Sequence, residues 1–106
     1  NYKITKYFLE KGLSGSEPLK SDEGMFFIFN QPDKYGFWMK DMKFSIDIIW
    51  ISEDRVVGFV ENAPPASGQS ENNLTIYSSP ENVDRVLEIN AGLVKKWGIK
   101  VGDQIH

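Results

Sequence analysis

Two carboxylates stand inside apolar runs. In Ile46-Asp47-Ile48-Ile49-Trp50-Ile51, strand alternation puts Ile46, Ile48 and Trp50 on one face and Asp47, Ile49 and Ile51 on the other. Both faces are apolar apart from Asp47, so this carboxylate is expected at or near a core. Burying it without a partner costs several kcal/mol or forces it neutral. Lys40, Lys43 or Arg85 could supply a cation, or backbone N–H groups at a bulge or loop could hold it. Glu88 repeats the pattern in Val86-Leu87-Glu88-Ile89-Asn90, where Val86, Glu88 and Asn90 share a face. Its plain reading is a two-faced strand with the polar side in water. If Glu88 and Asp47 instead faced one cavity, they would form a carboxylate pair suited to acid–base work or to a hard cation.

Phe37-Trp38-Met39-Lys40 is the other dense segment. On a strand, Trp38 and Lys40 point one way and Phe37 and Met39 the other. Trp38 could then form a pocket wall that stacks on a sugar or flat ligand, with the Lys40 ammonium binding an anion. The alternative is a core tryptophan with a lysine lying over its edge. Trp38, Met39, Lys40, Asp47 and Glu88 are thus the candidate ligand-binding residues. No nucleophile elbow, P-loop, dinucleotide fingerprint or EF-hand loop occurs. Cysteine is absent and the single histidine is His106, so no zinc site and no cofactor are expected.

The elements that must position these residues are mostly strands. Tyr2–Leu9 is β-branched and aromatic. Met25–Phe29 is an apolar run between Gly24 and Asn30-Gln31-Pro32-Asp33, which predicts a strand buried on both faces. Phe37–Met39 follows a turn. Ile46–Ile51 and Arg55–Glu61, joined at Ser52-Glu53-Asp54, read as a hairpin. Asn62–Asn73 reads as a long loop, Thr75–Tyr77 as a short strand and Val83–Ile89 as a longer one. Ala91–Trp97 has helical spacing at Leu93, Val94 and Trp97, basic Lys95 and Lys96 in its last turn, and Gly98 to stop it. Val101–Ile105 reads as a turn and a last strand. The expected class is mainly β (α+β by content), a small barrel-like or rolled sheet of about seven short strands with one short C-terminal helix.

The chain has 106 residues, 41% hydrophobic and 25% charged, as expected of one compact domain over residues 1–106. Most of the aromatics lie between Tyr2 and Trp50, so the core is weighted towards that half. A net charge of −3 offers no basic field for a phosphate backbone, which argues against nucleic acid. No apolar run reaches the ~20 residues of a membrane span, so no membrane insertion of this segment is expected.

Three segments together resemble the prokaryotic family catalogued as domain of unknown function 192. They are Gly12-Leu13-Ser14-Gly15 through Leu19 to Gly24–Phe29, Phe37-Trp38-Met39-Lys40 through Ile46-Asp47-Ile48, and Val86–Gly92 through Gly98–Asp103. Order and spacing agree from about residue 3 to the end. Ser16 stands where an arginine is common, and Ser45 where a proline is common. The resemblance implies a compact β-rich domain with little helix. Relatives often carry a leader or membrane anchor, which implies an extracytoplasmic place. The family supplies no reaction or ligand, and its motif positions include Trp38, Met39, Lys40, Asp47, Glu88 and Gly92.

A binding module for a small polar ligand such as a carbohydrate is therefore the first expectation. A structural or protein-docking domain, with a partner on the 62–73 loop, is the second. A hydrolase using Asp47 and Glu88 as acid and base is the third, and it requires the two carboxylates on one side of the core.

Overall fold

The computed structural model describes residues 6–8, 23–39, 42–66 and 75–105. Among these residues, seven strands and one helix follow in the order β1 (Lys6–Phe8), β2 (Glu23–Asp33), β3 (Gly36–Phe37), β4 (Ile46–Ser52), β5 (Arg55–Ala63), β6 (Tyr77–Ser78), β7 (Val83–Asn90) and α1 (Leu93–Trp97). Five strands form one sheet in the order β1-β2-β7-β4-β5, and β3 pairs with β6 as a separate ribbon. All pairs are antiparallel except β1 with β2. The fold is mostly β with one short helix, as the sequence suggests. The large sheet is open: it is not closed into a barrel, and β1 and β5 are its edges.

Both faces of this sheet are covered, which is why β4 reads as an almost unbroken apolar run. On one face Ile49, Ile51, Leu87 and Ile89 pack against Leu93 and Val94 of α1 and against Ile99 and Ile105 of the tail. On the other, Met25, Ile46, Ile48, Trp50 and Val86 meet Met39, Met42 and a set of aromatics that includes Phe37 and Tyr77 of the ribbon. These rings touch one another. Phe29 stacks on Tyr35 with centroids 3.7 Å apart, and Phe37 lies between Phe27 at 5.1 Å and Trp50 at 5.7 Å.

The β4–β5 hairpin forms as its turn chemistry predicts. Glu53 and Asp54 both take positive φ, 51° and 67°, the hand that matches the twist of the flanking strands. The helix ends where Gly98 turns left-handed at φ 66°, and the Ile99 N–H donates back to the Val94 carbonyl at 2.9 Å.

Several expected boundaries shift. β2 runs on past Phe29 to Asp33, through Pro32, because its pairing with β7 breaks after Ile28 and resumes at Asp33↔Val83. Nor is β2 buried on both faces, since Ile28 is 58% exposed. β3 ends at Phe37, and β6 starts at Tyr77. Asn62 and Ala63, expected in a loop, are the last residues of β5. The last strand shrinks to a bridge between Gln104 and Arg55. The segments at 9–22 and 67–73, with Lys40, lie outside the described residues. Among the described residues no helix is long and apolar enough to cross a membrane.

Candidate functional site

The register separates the two carboxylates. Asp47 pairs with Ile89 across β4 and β7, whereas Glu88 pairs with Ile48. Residues directly opposite in an antiparallel pair point to the same side. Asp47 therefore lies on the helix-covered face with Ile89, and Glu88 lies on the aromatic face with Ile48. They form no pair, and the hydrolase expectation falls with that separation.

Asp47 is completely buried, and it is satisfied. Its Oδ1 accepts the Asn62 N–H at 2.8 Å; its Oδ2 accepts the N–H groups of Gly92 at 3.1 Å and Val94 at 2.9 Å. Each donor is one that regular pairing leaves over. Asn62 sits at an irregularity in β5, where the register with β4 slips between Ile46 and Ile48, and its φ is 55°. Asparagine tolerates that conformation better than most residues. Gly92, at φ 93°, and Val94 open α1, whose first N–H groups have no partner within the helix. A carboxylate there also meets the positive end of the helix dipole. Of the expected cations, Arg85 pairs instead with Asp54 in the β4–β5 turn, and Lys40 lies outside the described residues. Asp47 is a clasp that fastens a bulge and a helix start to the central strands.

Glu88 is the opposite case. It is only 6% exposed, so the solvent-facing reading of its strand does not hold. Met25 stands directly across from it on β2 and Ile48 on β4. Burial pushes its pKa up from 4.5 to about 7.

Trp38 is neither core nor close to Asp47. Its neighbours Phe37 and Met39 turn inward, Met39 to 2% exposure, while Trp38 stays 43% exposed. The register Gly36↔Ser78 and Phe37↔Tyr77 gives the ribbon two sides. Phe37 and Tyr77 pack inward against the aromatic core. Gly36 faces outward, where a Cβ would meet Ile76 Cγ2 at 2.8 Å and Ser78 Oγ at 3.6 Å. Continuing the alternation one residue past the paired positions sets Trp38 on that outer side, across from Ile76, which is 55% exposed. Of the four candidate residues that are described, Met39 and Glu88 lie on the aromatic face, Asp47 on the helix-covered face and Trp38 at the surface.

Gly36, Ile76 and Ser78 were not singled out from the sequence. The signal was the Gly-x-Trp alternation itself, which needed only a partner strand to become a surface. No group of three or more His, Cys, Asp or Glu among the described residues could hold a metal ion.

These features define an open β-sheet protein with a helix fastened to one face and an aromatic core under a two-stranded ribbon on the other. The chain belongs to the family DUF192, described as an uncharacterised ACR, which it matches over residues 4–106. Two solved structures are similar. One is a protein of unknown function from Novosphingobium aromaticivorans, 33% identical, covering 97% of this chain and 74% of that one, with a TM-score of 0.85. The other is a Sinorhizobium meliloti protein described as a candidate transcription regulator, 31% identical, covering 95% and 79%, with a TM-score of 0.82. No curated protein matches the chain.

Proposed function

We propose that this protein is a binding module for a small polar ligand of carbohydrate type, seated on the outer face of the β3–β6 ribbon. One observation carries the reading: Trp38 and Ile76 are both exposed, at 43% and 55%, around a glycine that leaves the surface flat. An indole in water stacks on the C–H face of a sugar ring, and Ile76 extends that apolar patch. The Ser78 hydroxyl, on the same side, is placed to exchange hydrogen bonds with ring hydroxyls. Neither carboxylate belongs to this surface. Asp47 is consumed by its backbone bonds, and Glu88 is inside.

A nucleic-acid reading, which the description of the Sinorhizobium protein would suggest, finds less support. The net charge of −3 gives no electrostatic footprint for phosphates.

The test is a titration with a panel of mono- and disaccharides, followed by tryptophan fluorescence and by amide NMR shifts. The expected result is saturable binding, with shifts centred on Gly36, Trp38, Ile76 and Ser78. Trp38→Ala should weaken it by about tenfold, since a stacked ring contributes about 1 kcal/mol beyond its area. Binding that survives Trp38→Ala unchanged, or a panel that leaves the protein unmoved, would overturn the proposal.

A further inference from the structure

The outer side of the β3–β6 ribbon extends beyond the flat patch around Gly36. From Lys34 to Met39 exposure alternates without a break: Lys34, Gly36 and Trp38 are exposed, Tyr35 and Phe37 are half-buried, and Met39 is buried. Tyr35, Phe37 and Met39 all pack in the aromatic cluster, so Lys34, Gly36 and Trp38 leave the chain on the outer side. The facing strand does the same, with Ile76, Ser78 and Pro80 exposed around half-buried Tyr77 and buried Ser79. The Gly36↔Ser78 register continues one residue on, where the Ser79 N–H donates to the Tyr35 carbonyl at 3.3 Å. That continuation sets Pro80 across from Lys34. Among these outer positions only Lys34 is of a charged type. The proline opposite brings no carboxylate, and the neighbouring Asp33 turns back onto the chain, its Oδ1 accepting the Lys34 N–H at 2.7 Å.

From this row we infer that the ribbon selects acidic sugars of the uronic acid class, with the Lys34 ammonium holding the carboxylate while Trp38 stacks on the ring. The inference rests on the carbohydrate reading of this face. Four residues of extended chain span about 13 Å, so Gly36 lies midway between the two anchors. A pyranose ring seated over Gly36 meets the indole on one side, and the flexible four-carbon stem of Lys34 reaches it from the other. Gly36 keeps the span clear, since a Cβ there would already meet Ile76 Cγ2 at 2.8 Å. The carboxylate of a uronic acid projects from the edge of the ring, which leaves the C–H face free to stack. One ammonium answers one carboxylate. A polyanion would instead meet the chain's net charge of −3.

The experiment titrates the protein with methyl glucuronide and methyl glucoside, and with the corresponding galacturonide and galactoside, followed by amide NMR shifts at low and raised ionic strength. Each acidic sugar is expected to bind about twofold to fivefold tighter than its neutral parent, the size of one exposed ion pair. Raised ionic strength should narrow that difference, because the pair forms in water. Lys34→Gln should bring the acidic sugar down to the level of the neutral one, and Lys34 is exposed, so the fold is kept. Trp38→Ala should weaken acidic and neutral sugars by the same factor. Acidic and neutral sugars that bind alike, or a preference that survives Lys34→Gln, would overturn the inference and leave the carbohydrate reading standing. Binding of neither kind would overturn both.

Discussion

The two faces of one sheet treat a buried carboxylate in opposite ways. On the helix side, Asp47 gathers three backbone N–H groups, from Asn62, Gly92 and Val94, at 2.8 to 3.1 Å. On the aromatic side, Glu88 lies between Met25 and Ile48, and burial pushes its pKa up to about 7. The strands that carry them are adjacent, and their apolar neighbours are of the same kind. The difference lies in what each face is covered by. A helix start and a bulge bring surplus N–H groups that an acidic side chain can satisfy; the aromatic face sets Met25 and Ile48 directly across from Glu88, and burial raises its pKa. One carboxylate holds the fold together, and the other is kept at a cost in stability.

The contrast can be broken most forcefully at Asp47. Asp47→Ala leaves the part-buried N–H groups of Asn62 and Gly92 and the buried one of Val94 without their acceptor, at about 1–3 kcal/mol for one that stays buried, so a loss of about 4 kcal/mol is expected in urea unfolding. For a domain of this size that lowers Tm by more than about 15 °C. Asp47→Asn keeps an acceptor oxygen and should lose about half as much.

At Glu88 the sign reverses and pH becomes the lever. The folded state holds its proton up to about pH 7, whereas the unfolded chain releases it near 4.5. Between those values the folded state binds more protons, so stability falls as pH rises through the window and is level above it. The wild type should lose about 3 kcal/mol across that window relative to Glu88→Gln, measured by urea unfolding at a series of pH values. An equal slope in the variant would mean that other groups account for the effect.

Smaller effects sharpen the picture. Gly92→Ala forces a side chain onto φ 93° at the helix start, and about 1–2 kcal/mol should be lost, with weaker exchange protection of the Val94 amide. Trp38→Ala removes a ring that is 43% exposed, and should change stability by less than about 1 kcal/mol while weakening the proposed saccharide binding.

Much of this arrangement was legible from local pattern. The alternation through Ile46–Ile51 and Val86–Asn90 assigns Asp47 and Glu88 to faces of their own strands, and the hairpin at Glu53-Asp54 and the helix stop at Gly98 follow from turn chemistry. What alternation cannot supply is the register between strands. Whether Asp47 meets Ile89 or Glu88 is a one-residue matter that only the pairing of β4 with β7 decides. The partners of Asp47 were hidden for a related reason: Asn62 is 15 residues away and Val94 is 47, and backbone N–H groups leave no mark in a sequence. Pro32 argued for a turn, yet it sits in the irregular part of β2 where no ladder bond is required of it.

The most direct test of the contrast is a carbon-13 NMR titration of the Glu88 side-chain carboxyl. The account predicts a midpoint near pH 7, well above the ordinary glutamate value of 4.5. A midpoint at or below 4.5 would show a carboxylate held ionised by a partner in the fold, and the two faces would then be alike.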